Sequence, residues 1–224
     1  MRAPTILLAV ALASAVTACR DDGGGRPEVT VFAAASLTDV FADLGERFEE
    51  EHGADVTFSF GGSSSLREQI LEGAPADVFA SAGPGPMRDL EVAGAVAAPA
   101  TFATNRLQLA VPAGNPAGVR GLGDLARSDL LVGLCAAEVP CGALARQVLD
   151  AAGVGAAPDT EEADVRALLT KLEQRELDAG LVYATDVTSA AGAVEGIDLD
   201  DGGALTEYPI AVVDGAAAPG LADD

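Results

Sequence analysis

The sequence is poor in histidine, tryptophan and basic residues. Its 224 residues include one histidine, His52, and no tryptophan. This scarcity excludes most histidine-ligated metal sites and the serine nucleophiles that depend on an imidazole base. Lys and Arg number 13 against 35 Asp and Glu, which gives a formal net charge of −22. Because so acidic a chain repels phosphate backbones, we predict no nucleic-acid partner.

Hydrophobic residues, by contrast, make up 49% of the chain. That fraction is ample for packed cores and excludes disorder throughout. At about 150 residues per domain, the length predicts one large domain or two small ones.

Residues 1–18 have the pattern of an export signal. Arg2 precedes an apolar run at residues 6–13, and small residues follow that run. A basic start, a short apolar core and a small-residue cleavage site are typical of a signal peptide. The run is shorter than the roughly 20 residues that span a bilayer, so a permanent transmembrane helix is the weaker alternative.

Residues 16–19 (VTAC) resemble the bacterial lipobox, in which cleavage leaves an acylated cysteine at the new N-terminus. Cys19 would then anchor the protein to the membrane, and residues 19–27 would be a flexible, glycine-rich tether. This interpretation places the protein on the cell membrane, facing the periplasm or the extracellular side. The alternative is a plain secretory signal followed by an unrelated cysteine.

Beyond the tether, strand-like and helix-like patterns alternate. Such alternation predicts an α/β protein with mostly parallel sheets and helices on both faces. Strands are predicted at residues 29–34, 55–60, 77–80, 106–111, 130–134 and 179–183, and helices at 37–48, 66–71, 143–151 and 165–173.

Two segments that begin with proline or glycine, 99–104 and 202–206, are candidate crossings between two lobes. They predict a discontinuous first lobe of residues 28–103 and 206–224. The second lobe, residues 104–205, would be inserted between these two parts.

Serines follow two of the predicted strands. Ser36 is predicted at the N-cap position of helix 37–48, and Ser63 lies in a glycine-serine loop that opens the next helix. Open parallel sheets bind ligands beyond the carboxyl ends of their strands, and helix N-termini favour anions. Neither loop carries Lys or Arg, so an oxyanion would be held by uncharged donors. The simpler alternative is that each serine only caps its own helix.

Seven blocks, taken in order, resemble the signature blocks of the periplasmic molybdate-binding protein family, and they span about residues 28–214. They are 31–38 (VFAAASLT), 59–66 (SFGGSSSL), 73–82 (GAPADVFASA), 139–142 (VPCG), 163–166 (ADVR), 181–183 (LVY) and 207–213 (EYPIAVV). The resemblance implies a two-lobed binding protein with the type II periplasmic-binding-protein fold. It also implies delivery of molybdate or tungstate to the membrane permease of an ABC transporter, with no enzymatic activity and no cofactor. We expect a monomer.

The resemblance also implies the ligand contacts. Ser36 and Ser63 would donate through their hydroxyls, Cys141 and Val165 through main-chain N–H groups, and Tyr183 through its hydroxyl. Cys141 departs from the alanine of the family motif. A main-chain contact tolerates that change if the thiol points away from the ligand.

Cys135 and Cys141 flank a short loop in an exported chain, where a disulfide is plausible. Two free buried thiols are the alternative. A metal site that combines these cysteines with His52 is poorly supported, because His52 follows three glutamates at a predicted solvated helix end.

Two rival functions stay open. One is a binding protein for sulfate, thiosulfate or phosphate, although neither serine loop carries the carboxylate that would accept a phosphate proton. The other is a serine hydrolase that uses Ser36 or Ser63. In addition, the family's long C-terminal helix has no counterpart in residues 214–224, which leaves the stability of the first lobe in question.

Overall fold

The computed structural model describes residues 25–199 and 204–222. The predicted signal peptide, residues 1–18, and Cys19 lie outside the described residues. Of the predicted tether, residues 25–27 are described. There the Pro27 carbonyl accepts the Asp55 N–H (2.8 Å), and Arg26 pairs with the Asp55 carboxylate (3.4 Å).

Strands and helices alternate through most of the described chain. The strands are β1 (Glu28–Ala34), β2 (Asp55–Gly61), β3 (Val78–Ala80), β4 (Ala100–Pro112), β5 (Val132–Cys135), β6 (Thr160–Glu162), β7 (Ala179–Tyr183), β8 (Val194–Ile197) and β9 (Leu205–Val212). The helices are α1 (Thr38–His52), α2 (Ser63–Leu71), α3 (Pro84–Ala93), α4 (Pro140–Ala151), α5 (Val165–Glu173), α6 (Ala184–Ser189) and α7 (Pro219–Ala222), with 3₁₀ turns at Ala35–Leu37 and Leu122–Ala126.

The strands join in the order β2-β1-β3-β9-β4-β7-β5-β6, and β8 also pairs with β4. The β1–β2, β1–β3, β5–β6 and β5–β7 pairs are parallel, as expected for strands connected by helices. Pairing is antiparallel wherever β4 or β9 takes part. The described sheet is therefore mixed, with a parallel set at each end. We call the part around β1–β3 and α1–α3 the first lobe, and the part around β5–β8 and α4–α6 the second lobe.

The long strand β4 connects the two lobes. Residues 100–106 of β4 pair with β9, and residues 107–110 pair with β7. The first predicted crossing, 99–104, therefore lies almost wholly within β4, where the register with β9 shifts between Thr101 and Ala103. Of the second, 202–206, residues 202 and 203 lie outside the described residues, and Leu205 and Thr206 are the first residues of β9. Two adjacent antiparallel strands thus carry the chain between the lobes.

Side chains of β1 alternate between two apolar clusters, as the pleat of a strand requires. Val29 and Val31 face the cluster that contains Phe41 of α1. Phe32 faces a second cluster, which contains Leu66 of α2 and Leu90 of α3. Helices therefore cover both faces of the first lobe.

The described chain ends with the four-residue helix α7. Leu221 and Ala222 of α7 pack against the main apolar cluster, beside a cavity of about 420 Å³ between α1, β1 and β2. No helix in the described ranges is both long enough and apolar enough to cross a bilayer.

Candidate functional site

The two serine loops leave the same edge of the sheet. Strands β1 and β2 are parallel neighbours, and Ala34 at the end of β1 is in register with Gly61 at the end of β2. Ser36 and Ser63 follow these two strand ends and both line one small cavity. The carboxyl ends of parallel strands are the expected position for a ligand in an open α/β sheet.

Neither serine is a helix N-cap. The N-cap residue of α1 is Leu37, and Ser36 lies one position earlier, in the 3₁₀ turn, so its predicted N-cap position is wrong. The N-cap residue of α2 is Gly62, and neither N-cap has a side-chain capping bond. The simpler explanation of the serines as helix caps is therefore also wrong.

The hydroxyl of Ser63 is oriented by the backbone of the first lobe. Its Oγ accepts the Ala82 N–H at 3.1 Å, and only 2% of the residue is exposed. A serine oxygen that accepts one hydrogen bond still has its own proton to donate. Ser63 therefore presents an uncharged donor to the cavity.

The second lobe contributes two helix N-termini. Cys141 lies in the first turn of α4, after Pro140, and Val165 is the first residue of α5. The first N–H groups of a helix have no partner within the helix and carry partial positive charge. Asp164, the N-cap of α5, accepts the Ala167 N–H at 2.9 Å, so its carboxylate does not use the Val165 N–H.

Tyr183 ends β7 and is 1% exposed. Its hydroxyl points across to the first lobe, where it donates a hydrogen bond to the Ala82 carbonyl oxygen at 3.4 Å. Burial raises the pKa of the Tyr183 hydroxyl well above its ordinary value. Tyr183 therefore stays protonated at neutral pH and acts as a neutral donor.

These five residues line a single cavity of about 20 Å³. Among the residues that the structure describes, no Lys or Arg side chain lines it, and Asp164 is the one acidic residue that does. Pockets for organic ligands are typically about 300–1,000 Å³, so this volume suits one small inorganic ion. The remaining lining residues are Ala34, Ala35, Gly61, Gly62, Ala82, Val139 and Pro140.

The two lobes meet directly around the cavity. Ser64 Oγ donates to the Glu138 carbonyl at 2.6 Å. Gly62 lies so close to the second lobe that a Cβ atom there would be 2.5 Å from the Ala163 carbonyl oxygen. The structure therefore shows the arrangement in which the lobes are closed.

Cys135 and Cys141 form a disulfide, with 5.8 Å between their Cα atoms. Arg146 also stabilises this loop. Its Nη1 donates to the Cys135 carbonyl (2.9 Å) and to the Gly142 carbonyl (3.1 Å). A Cβ atom on Gly142 would overlap the Ala136 carbonyl oxygen. The disulfide and these contacts together hold the start of α4, which includes the Cys141 N–H.

His52 is not among the residues that line this cavity. His52 ends α1, where its ring stacks on Phe48 with 4.3 Å between centroids. Within residues 25–199 and 204–222, no cluster of three or more His, Cys, Asp or Glu could hold a metal ion.

Three residues near the cavity escaped the sequence analysis: Asn105, Asp186 and Tyr208. Tyr208 Oη lies 2.9 Å from Ser36 Oγ, and Asn105 Nδ2 donates to Tyr208 Oη at 3.3 Å. Asp186 is 1% exposed and accepts the Tyr183 N–H at 3.0 Å. Burial raises the pKa of the Asp186 carboxyl to about 7. The EYPIAVV block contains Tyr208, but no sequence pattern indicates its contact with Ser36.

Residues 29–224 match the family model of the bacterial extracellular solute-binding proteins. The chain belongs to this family. The molybdate-binding protein ModA of Mycobacterium tuberculosis is 41% identical over 201 residues, which cover 88% of this chain and 77% of that protein. This relative and the family match confirm the family resemblance of the sequence blocks.

Two solved structures share the fold. The periplasmic molybdate-binding protein of Azotobacter vinelandii matches with a TM-score of 0.74 at 22% identity, covering 87% of this chain and 89% of that one. The sulfate-binding protein SubI of M. tuberculosis matches with a TM-score of 0.78 at 19% identity, covering 88% and 79%. The expected two-lobed α/β fold is confirmed. The fold is common to binders of different anions, so it does not by itself select the ligand.

Proposed function

We propose that this protein captures molybdate or tungstate between its two lobes and delivers the anion to the permease of an ABC transporter. One observation carries the proposal. Ser36, Ser63, Cys141, Val165 and Tyr183 come from separate segments of both lobes, and they line one cavity of about 20 Å³ without a cationic side chain.

The donors suit a fully deprotonated tetrahedral dianion. Hydroxyl and main-chain N–H groups each give one directed hydrogen bond, and bonds to a charged acceptor are roughly twice as strong as neutral ones. Residues on both lobes would contact the same ion, so the bound ion would favour the closed arrangement. Closure would exclude water, which strengthens each of these bonds.

Two arguments favour molybdate or tungstate over sulfate: the similarity of this chain to a molybdate-binding protein, and the size of the anion. The 41% identical relative is named a molybdate-binding protein, and a closed ring of donors can discriminate anions by their dimensions. Phosphate retains a proton at neutral pH and needs an acceptor for it. Among the described residues, Asp164 supplies the one carboxylate of the cavity lining, and its Oδ1 accepts the Ala167 N–H as the N-cap of α5. Phosphate is therefore included among the anions to be titrated.

A hydrolase function has no support from the serines. Nucleophilic serine needs a base within hydrogen-bond reach. Ser63 Oγ accepts a main-chain N–H, and Ser36 Oγ is bonded to a tyrosine hydroxyl. We therefore propose a binding protein that is not an enzyme. We propose separately that it needs no cofactor and acts as a monomer. We also propose that it is exported and anchored to the membrane by an acylated Cys19.

Isothermal titration calorimetry of the purified protein with molybdate, tungstate, sulfate and phosphate tests the proposal. Ser36→Ala and Tyr183→Phe should each weaken molybdate binding by about 10- to 100-fold, the loss expected for a hydrogen bond to a charged group. Ser65→Ala is the matched control, because Ser65 lies in the same loop but is exposed and is not among the cavity-lining residues. Sulfate affinity equal to molybdate affinity, or unchanged affinity in both variants, would contradict the proposal.

A further inference from the structure

A chain of three hydrogen-bonding side chains leads to the anion cavity from the strands that connect the lobes. Its members are Asn105 on β4, Tyr208 on β9 and Ser36 after β1. Tyr208 is opposite Ala103 in the antiparallel pairing of β9 with β4, and Asn105 is opposite Thr206. Tyr208 and Asn105 are not among the residues that line the cavity.

The orientation of the Asn105 side chain follows from its contacts. Asn105 Oδ1 accepts the Arg106 N–H at 2.9 Å, which identifies the other end of the amide as the NH₂ group. That group donates to Tyr208 Oη at 3.3 Å and to Thr185 Oγ1 at 2.8 Å. The Tyr208 oxygen is therefore already an acceptor.

The direction of the hydrogen bond between Tyr208 and Ser36 follows from which groups can accept each hydroxyl proton. Tyr208 is 2% exposed, so its hydroxyl proton needs a partner inside the protein. Ser36 Oγ, at 2.9 Å, is the acceptor that the described contacts provide. If Ser36 donated instead, Tyr208 Oη would accept two bonds, and none of the described protein groups would accept its own proton. The favoured arrangement is Asn105 to Tyr208 to Ser36, which leaves the Ser36 proton for the cavity.

The surroundings hold Tyr208 in place as a neutral donor. Its ring makes edge contacts with Phe102 and Tyr183, at centroid distances of 6.3 Å and 5.9 Å. Burial raises the pKa of the Tyr208 hydroxyl above its ordinary value, and this effect outweighs the lowering by its hydrogen bonds with Ser36 and Asn105. The proton therefore remains on Tyr208 at neutral pH.

Asn105 also joins this chain to the second lobe. Thr185, its second partner, lies in α6, whereas Ser36 belongs to the first lobe. The Asn105 amide thus donates one proton toward each lobe. Of the hydrogen bonds in this set, the one from Asn105 to Thr185 joins the two lobes.

We propose that Tyr208 and Asn105 are positioning residues for the anion site. Tyr208 donates to Ser36 Oγ and so directs the Ser36 hydroxyl proton at the bound oxyanion, and Asn105 fixes Tyr208 when the lobes close. This inference rests on the proposed binding of molybdate, to which it adds residues that do not touch the ion. Without Tyr208, the Ser36 hydroxyl would rotate freely, and part of its contribution to affinity would be lost.

A double-mutant cycle measured by calorimetry with molybdate tests the inference. The proteins are the wild type, Tyr208→Phe, Ser36→Ala and the double variant. Tyr208→Phe should weaken binding by about 3- to 10-fold, the effect of one neutral hydrogen bond. In the Ser36→Ala background the same change should have no further effect, because Tyr208 acts through Ser36.

Asn105→Ala removes the residue of the hydrogen-bond chain that lies farthest from Ser36. It provides a second variant if Tyr208→Phe folds poorly. It should weaken molybdate binding about 2- to 5-fold and accelerate dissociation, again without effect in the Ser36→Ala background. Gln108→Ala is the matched control. Gln108 is another half-buried amide of β4, but it donates to Asp198, away from the cavity.

The outcomes separate the two proposals. A wild type that does not bind molybdate contradicts the proposed function, and with it the inference. A wild type that binds molybdate, with Tyr208→Phe and Asn105→Ala at wild-type affinity, contradicts the inference alone. Losses that are fully additive with Ser36→Ala also contradict it, because they would show that both residues act independently of Ser36.

Discussion

Asp39 of the first lobe and Arg166 of the second form an ion pair across the cleft. Arg166 Nη1 lies 3.0 Å from Asp39 Oδ2, and the same nitrogen donates to Ser189 Oγ at 3.0 Å. Arg166 directly follows Val165, which lines the anion cavity. The pair therefore joins the lobes next to the proposed binding site.

Arg166→Ala should speed the release of molybdate. The Asp39 side chain is 60% exposed, and the Arg166 side chain is 34% exposed. Exposed pairs contribute about 0.2–1 kcal/mol, so we expect an affinity loss of about 2- to 5-fold that shrinks at high salt. Stopped-flow measurements of the molybdate dissociation rate at low and high ionic strength test this expectation. Arg120→Ala, which breaks a pair within the second lobe, should leave the rate unchanged; an equal effect would refute the role of Arg166.

Gly62→Ala should obstruct closure of the lobes. A Cβ atom would lie 2.5 Å from the Ala163 carbonyl oxygen of the second lobe, although the backbone of Gly62 (φ −62°, ψ 127°) suits alanine. The unliganded protein should keep its melting temperature, whereas molybdate affinity should fall about 5- to 150-fold, because a close clash costs roughly 1–3 kcal/mol. Gly85→Ala is the control, since its Cβ would meet nothing within 4 Å. Wild-type affinity in Gly62→Ala would show that closure tolerates the methyl group.

Reduction of the Cys135–Cys141 disulfide should lower both stability and affinity. The bond spans a sequence separation of 6, and in the chain-entropy model closing so small a loop contributes about 2 kcal/mol. Melting curves and molybdate titrations with and without dithiothreitol measure the two effects. The Cys135→Ser/Cys141→Ser variant should behave like the reduced protein and should not respond to reductant. Identical melting temperatures in the oxidised and reduced protein would contradict the prediction.

Stability should fall as the pH rises toward neutrality because of Asp186. Burial raises the pKa of this carboxyl to about 7, opposed by the Tyr183 N–H and by Arg166, while Asp39 and Asp164 add to the rise. The unfolded carboxyl titrates near its ordinary pKa of about 3.9. The folded protein therefore holds the proton more tightly, and the resulting stabilisation is full below about pH 4 and is lost as the pH passes about 7.

Asp186→Asn reproduces the neutral carboxyl and keeps an oxygen for the Tyr183 N–H. This variant should melt several degrees higher than the wild type at about pH 8. It should also show a flatter dependence of melting temperature on pH. Asp150→Asn, a change at an exposed carboxyl of α4, is the control. If wild type and Asp186→Asn have parallel pH profiles, Asp186 is ionised throughout the range.

Local patterns predicted much of the secondary structure. The predicted strand 179–183 and helix 165–173 agree with β7 and α5. Each of these segments has a continuous or periodic apolar pattern, which reports burial directly. Helix α4 begins three residues before its predicted start at 143, because Pro140 is suited to the first turn of a helix.

The strands that connect the lobes were harder to predict. The first half of β4 carries exposed side chains such as Thr101 and Phe102 and shows no buried face. It is a strand because it pairs with β9, roughly a hundred residues later in the chain. Pairing over such a distance leaves little trace in a local window.

The sequence by itself determined the alternation of strands and helices, the acidic character of the chain, and the serine loops at two neighbouring strand ends. The family resemblance also named five of the residues that line the cavity. The tertiary structure alone decided that the Tyr208 and Ser36 hydroxyls lie 2.9 Å apart, that Asn105 bridges the lobes, and that Asp39 pairs with Arg166. These contacts join residues 80 or more positions apart. They exist only because antiparallel pairing of β4 with β9 brings the two lobes together over one small cavity.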